Sequence, residues 1–453
     1  MSHRTKLAAL LSLTLGLLAP GAAGAAVRPT TGGTLRLAVQ TPGATAPEAR
    51  SLPGRIRASL DECTLGDLLA GPPQVDEEED RLILLLEEGL VFQDGSKLDA
   101  AAVVESLSAH ARGSGGVEAW RLLVLAGAAE RMSGAEGELG LKAIGARRLE
   151  LRLSWPLGAG AVELLSHPGL PLRSKGGAPC GPFQAREGGR DGVLVPFDRH
   201  PRGRPYFDRV QLFSTREGSR QGKADLRLEA SVDTPRELPL TTRSLTFLQV
   251  NASPALREQI DGSLDRKAIV RYLVGGRARQ VSTLLPDAPP GASRSSGEAP
   301  PRRALTLAFD GEDPVHRRIA ERIQVRLHDG GLEVALQPLP ARERGALLTG
   351  ATELALITLP GLPRDPARGL AAVSHAVLGA RAAQEVLETA AAAERAGGGL
   401  GAALGELEAR LPVVFLYGED EVVWIGDSLQ GAEPSGTLPF DPGDLWRWES
   451  STR

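Results

Sequence analysis

Residues 304–339 read as a single unit: the apolar run ALTLAF, an amphipathic stretch from Pro314 to Asp329, the pair Gly330-Gly331, and the apolar run LEVALQPL. Proline in the first turn and glycine just past the last one punctuate a helix. Two strands separated by a helix of this length are too far apart in sequence for a hairpin. They pair in parallel, with the helix as the crossover. The rest of the chain alternates in the same way. GGTLRLAV (Gly32 to Val39), RLILLLEEGLVF (Arg81 to Phe92, two short runs), RRLELRLSW (Arg147 to Trp155), GVLVPF, DRVQLF, RSLTFLQVN ending at Asn251, and ELALITLP predict strands, as do PVVFLYG and EVVWIG near the end. Asp99 to Ala111, Arg257 to Gly275 with a break at Leu264-Asp265, and Ala380 to Arg395 predict helices, Asp99 and Asp265 standing where caps belong. PDAPPGASRSSGEAPPRR (Pro286 to Arg303) has no periodicity and reads as a linker. This alternation predicts an α/β fold.

The first residues point to a compartment. Arg4 and Lys6 form a basic start, Leu7 to Leu18 is apolar, and APGAAGAA follows with Ala23-Gly24-Ala25 as a cleavage pattern. This order predicts a signal peptide over residues 1–25, cleaved near Ala25, and a periplasmic location. The apolar run falls short of a membrane span, and no Cys follows it to accept a lipid. Net charge is −4, about −6 once Arg4 and Lys6 are removed. A mildly acidic chain argues against a nucleic-acid partner. Cys63 and Cys180 are the two cysteines; in an oxidising compartment they are either a disulfide or two buried small hydrophobes.

Catalytic patterns are missing. The sequence holds no H-E-x-x-H, C-x-x-C or G-x-S-x-G, and its seven His are scattered, so neither a metal site nor a nucleophile elbow is expected. GSRQGKA (Gly218 to Ala224) is one residue short of a P-loop and carries Ala224 in place of the magnesium-binding hydroxyl. No cofactor is expected, and no enzyme.

GLVFQDGSKLDAAAVVESL (Gly89 to Leu107) joins an apolar strand, an Asp-Gly turn and a capped helix. This stretch resembles the signature of the family 5 extracellular solute-binding proteins, the oligopeptide, dipeptide and nickel receptors of ABC importers; Phe92, Asp94, Gly95, Leu98, Ala100 and Val103 match. Further segments resemble that family in the same order: GGTLRLAV, APCGPFQ, RGRPYFDRVQLF, FLQVNAS, REQIDGSLDRKAIV with Arg257, Asp265, Arg266 and Ile269 in register, and the unit at 304–339. The resemblance spans nearly the whole mature chain.

It implies a two-lobed periplasmic-binding-protein type II fold with an extra small domain. The implied order is lobe I over 26–50, the small domain over 51–145, lobe I again over 146–245, lobe II over 246–415, and a return to lobe I over 416–453. It implies a monomeric receptor that closes on a small-molecule solute and delivers it to permease subunits in the inner membrane. The alternative is a degenerate, ligand-free member acting as an envelope interaction protein. Two departures bear on the ligand. Where the family carries a Trp and an amine-pairing Asp, this chain has Leu359 and Leu362. Anchoring of a peptide's α-amine is therefore expected to be lost, unless Glu353 or Asp365 reaches the site. The candidate ligand contacts are Thr358, Leu359 and Gly361 at the hinge side of the cleft, Gln249 and Asn251 at the crossing between lobes, and Trp424.

Overall fold

A computed structural model describes residues 30–40, 51–76, 78, 80–112, 116, 118–185, 192–214, 224–228, 234–286, 304–340, 343, 345, 347–348, 350–432 and 445–447. The expected signal peptide, most of GSRQGKA and nearly all of the 286–303 linker lie outside the described residues.

The 304–339 unit forms as its punctuation predicts. Strand Ala304–Asp310 pairs in parallel with strand Glu333–Leu339, and helix Pro314–Asp329 crosses between them. Asp313 caps that helix, accepting from the Val315 N–H at 2.7 Å. His316, Ile319, Ala320, Ile323 and Leu327 form its buried face. Strand Leu354–Pro363 extends this half, parallel to Ala304–Asp310. The other half packs strand Thr34–Gln40 in parallel against Arg209–Ser214 and Leu226–Arg227, with Phe183–Ala185 and Val193–Pro196 at the edge.

Two long antiparallel strands join the halves. Arg236–Val250 pairs along its length with Val413–Ile425, and on its other edge with Leu354–Pro363. PVVFLYG and EVVWIG, read above as two strands, are one uninterrupted strand. The Gly418-Glu419-Asp420 segment looks like a turn in sequence. Here Gly418 is held in the ladder by Leu245 and Arg279, with the Val281 side chain packed against it. Helix Pro366–Leu378, capped by Asp365, was not expected from the sequence; it follows the Leu354–Pro363 strand directly.

The small domain is built on a four-stranded sheet ordered Gln74–Val75, Arg81–Leu85, Arg148–Arg152, Leu141–Ala143. Its third strand lies beyond residue 145, where the domain boundary was expected. RRLELRLSW buries Leu149 and Leu151 in the small domain's core, so this segment belongs there and not to lobe I. Helix Leu52–Asp61, conversely, packs Ile56 and Leu60 into the lobe I core with Leu35, Leu37 and Phe183.

The Gly89–Leu107 stretch fastens this domain to lobe I. Gly95 takes φ +83° in the turn, a conformation glycine adopts without strain. The turn exposes the Gln93 amide, whose Nε2 lies 2.9 Å from the Phe183 carbonyl, 3.2 Å from that of Gly181 and 3.3 Å from that of Asp61. Asp99 caps helix Ala100–His110 through the Ala102 N–H at 3.1 Å. Cys63 and Cys180 are bonded beside this junction, with Cα atoms 5.1 Å apart. The bond closes a loop of 117 residues around the domain. Chain entropy predicts roughly 3–5 kcal/mol from such a loop. Replacing both cysteines with alanine is expected to lower unfolding free energy by about that amount, read by urea titration. The oxidised parent should show no titratable thiol without reductant.

Glu62 sits between these elements, paired with Arg173. Burial pushes its carboxyl up from the ordinary 4.5 to about 7, Arg173 opposing and Asp61 adding to the rise. Between those values the folded chain holds a proton that the unfolded chain has released. This stabilisation is complete below pH 4.5 and is lost as pH rises through about 7. Glu62→Gln should therefore be more stable than the parent at pH 8 by about 1–3 kcal/mol, with the gap vanishing toward pH 4. Chemical denaturation at the two pH values checks the sign.

Candidate functional site

The residues singled out from the sequence fall along the crossing strands and the surface where small domain and lobe II meet. That surface is a packed seam. Trp120, Leu122, Leu123 and Val124 in the short helix Ala119–Val124 share one apolar core with Ile357, Leu359, Leu362, Leu370 and Val386 of lobe II. Leu359 and Leu362 are each 3% exposed within it. Leu359 and Leu362, the two residues expected at the departures from the resembled family, are thus buried in an apolar core that also holds Trp120. Across the same seam Arg368 pairs with Glu163 at 2.8 Å.

Neither alternative carboxylate points its bonding there. Glu353 accepts from the Thr306 N–H at 3.1 Å, and Asp365 accepts from the Arg368 N–H at 2.8 Å as a helix cap. Thr358 alternates to the other face of its strand. Its Oγ1 lies 2.7 Å from Thr246 Oγ1 and 2.8 Å from His316 Nε2, within lobe II. Gln249 is buried and donates to Asn251 Oδ1 at 3.0 Å, while Asn251 donates to the Thr352 carbonyl at 2.7 Å. Asn251 therefore ties the end of its strand to residues 352 and 353, about a hundred positions along the chain, since its backbone N–H also donates to the Glu353 carbonyl. Trp424 is half-buried beneath the Arg277 guanidinium, 5.3 Å from the ring centroid. Arg277 is held in turn by Glu237, whose carboxyl it keeps below its ordinary value. Glu237, Arg277, Arg279, Arg364 and Asp420 line a cavity of about 380 Å³ beside the crossing strands.

Gly361 is the one candidate whose polar group faces the seam. It takes φ +72°, and its N–H donates to Glu421 Oε1 at 3.1 Å. Glu421 also accepts from the Thr242 hydroxyl at 2.6 Å and pairs with Arg55. Register explains the contact. Pro239 opposes Val422 and Arg243 opposes Asp420, so residues 240–242 bulge opposite Glu421 alone. The bulge turns Thr242 toward the carboxylate. Sequence reading missed Arg55 and Glu421. The visible clue was charge within apolar periodicity: Arg55 lies on the helix face that buries Ile56, Ser59 and Leu60, and Glu421 lies inside an alternating strand. A second buried group lies nearby. Arg121 is 2% exposed, 2.8 Å from Glu118 and 4.6 Å above the Trp120 ring; burial lowers its pKa and Glu118 resists the shift.

Two lobes joined by paired crossing strands, with a small domain inserted in the first, make this the two-lobed periplasmic-binding-protein fold. No protein-family model and no curated protein matches the sequence. Among solved structures, the Escherichia coli murein tripeptide binding protein MppA is 16% identical and superposes over 94% of this chain and 100% of its own, with a TM-score of 0.71. Haemophilus influenzae OppA, in complex with the peptide RPPGFSPFR, is 13% identical over 93% of this chain and 100% of its own, TM-score 0.69. The unliganded open form of MppA covers 94% of this chain and 99% of its own at 15% identity, with a lower TM-score of 0.58.

Leu362→Asp buries a carboxylate at a position 3% exposed within an apolar core, with Arg243 as its cross-strand partner. The cost is about 3 kcal/mol against the closed arrangement. The variant should melt earlier than the parent and scatter with a larger radius of gyration; an unchanged midpoint would mean that water already reaches residue 362.

Proposed function

We propose that the protein is an exported, monomeric, non-catalytic solute receptor that works in the periplasm. It closes about strands Arg236–Val250 and Val413–Ile425 and delivers a small solute to the permease subunits of an ABC importer. The observation that carries this reading is the crossing pair. Both strands contribute side chains to the surfaces that meet at the seam, so bending them changes the cleft without breaking either core. Energy for transport then comes from a partner ATPase, in keeping with a sequence that offers no nucleotide motif.

The cargo in this reading is not an ordinary free-amine peptide. Leu362 stands where an amine would need a carboxylate, and at an effective dielectric near 20 a close charge pair is worth roughly 4 kcal/mol before desolvation. Losing half of that weakens binding about thirtyfold. A second reading, a ligand-free envelope interaction protein, is favoured by a specific observation: Leu359, Leu362 and the Trp120 segment fill the seam with the chain's own side chains.

Calorimetry and scattering on the mature protein separate the two. The receptor reading expects peptides with free amines to bind no tighter than tens of micromolar, and one class among amino acids, sugars, metal chelates and capped peptides to raise the melting temperature. Micromolar binding of ordinary peptides would overturn the anchor argument. Silence across all classes would favour the ligand-free reading.

A further inference from the structure

The cavity of about 380 Å³ beside the crossing strands has one wall from those strands and one from a loop of lobe II. Pro239 and Val422 are cross-strand partners and so share a face, and Asp420 lies two residues from Val422 on that same face. Val423, between them and Trp424, turns the other way into the lobe I core. The second wall is the loop 276–279, fastened to the lobe II core by Val274 and Ala278. Gly275 and Gly276 take φ +71° and +61°, which glycine adopts without strain, and the chain then enters strand Arg279–Gln280 along Gly418 and Tyr417.

This wall carries more positive charge than the chain neutralises. Arg277 is bonded to Glu237, and Arg364 pairs with Asp420 at 3.3 Å. Arg279 is exposed, and its guanidinium makes no hydrogen bond or ion pair among the described residues. Arg243 stands near Asp420 and Arg364, its buried Nε without a hydrogen-bond partner. The third carboxylate, Glu419, lies behind Gly276; burial raises its pKa and Arg277 opposes the rise. Arg243, Arg277, Arg279 and Arg364 thus share Glu237, Glu419 and Asp420, and the surplus is one positive charge. A guanidinium with its N–H fork free grips a carboxylate through two parallel bonds. Pro239, Ala278 and Val422 supply an apolar patch beside it, and the volume lies at the small end of ligand cavities.

We propose that this cavity is a binding site for a small monocarboxylate, its head group on Arg279 and its carbon body against Pro239, Ala278 and Val422. One negative charge matches the surplus of the wall. None of the lining residues belongs to the apolar core of the seam, so the site stands apart from the receptor reading.

The test uses the full mature chain at low ionic strength, with sodium butyrate as the probe and saturation-transfer NMR as the readout. Butyrate should bind with a dissociation constant of about a millimolar, the range open to so small a ligand. Butyramide has the same shape without the charge and should bind about tenfold more weakly or worse. Arg279→Glu changes an exposed side chain, so the variant should fold like the parent, and it should lose the butyrate signal. Arg148→Glu makes the same charge change at an exposed position on the small domain's sheet and should leave butyrate binding unaltered. The proposal is overturned if the parent gives no signal, if butyramide binds as well as butyrate, or if Arg279→Glu binds butyrate like the parent. Equal weakening by Arg148→Glu would reduce the effect to net charge and overturn it too. So would inorganic phosphate competing as well as butyrate does, since the patch would then hold any anion. No cognate solute enters the experiment, so its failure leaves the receptor reading untouched. Failure to find a solute leaves this site untouched.

Discussion

Backbone pairing between strands Arg236–Val250 and Val413–Ile425 is the constraint on which the rest of the structure depends. Each strand runs from one apolar core into another. Leu248, Val250, Val414 and Leu416 lie in the lobe II core, while Leu240, Val423 and Ile425 lie in that of lobe I. A ladder of main-chain hydrogen bonds resists shear but tolerates bending and twist, most easily at a bulge. The bulge at residues 240–242 falls at the boundary between the two cores, and there the buried polar groups collect. In the receptor reading proposed above, that bulge is the place where the strands bend most easily.

Apolar packing and charge divide the work at the seam. The pairs Arg55–Glu421 and Arg121–Glu118 are both nearly excluded from water. Attraction at an effective dielectric near 20 is roughly 4 kcal/mol for each, but removing two charges from water costs several kcal/mol per ion. The net contribution to stability is small. Burying leucine side chains contributes about 1.5–3 kcal/mol each. Adhesion across the seam therefore comes from the buried apolar faces of helices Pro366–Leu378 and Ala380–Arg395 against the Trp120 segment. Both charged pairs lie within one wall, Arg121 and Glu118 three residues apart and Arg55 on a helix that shares a core with Val423 and Ile425 of Glu421's strand, whereas the pair that spans the seam is Arg368–Glu163.

Local order was largely legible in the sequence. The crossover unit at 304–339, the caps Asp99 and Asp265, the Asp94-Gly95 turn and helix Ala380–Arg395 all rest on nearby residues, and local rules describe them well. Errors arose where distant residues decide. Gly418-Glu419-Asp420 looks like a break because its partners, Leu245, Ser244 and Arg243, lie more than 170 positions away in the chain. The segment 147–155 was assigned to the wrong body because alternation shows that a strand has one buried face without showing which core receives it. Of the candidate contacts, Gly361 faces the seam, whereas the Thr358 hydroxyl faces lobe II; adjacent positions on a strand point opposite ways, and only the pairing register settles which. Arg55 and Glu421 went unnoticed because each looks like an ordinary surface charge until the other is placed beside it.

The Cys63–Cys180 bond gives the inserted domain a covalent property distinct from its packing. Chain enters and leaves the small domain at points clasped by one bond, with the Gln93 amide clamped on lobe I carbonyls beside it. The polypeptide from 63 to 180 is a ring hung on the rest of the molecule. A single protease cut anywhere inside that ring leaves one covalent molecule, both new ends still tethered to lobe I. A cut elsewhere in the mature chain yields two pieces held only by packing. In a compartment where proteases are at work, the wall of the cleft that carries Trp120 is therefore the part of this protein best insured against losing its connection to the whole.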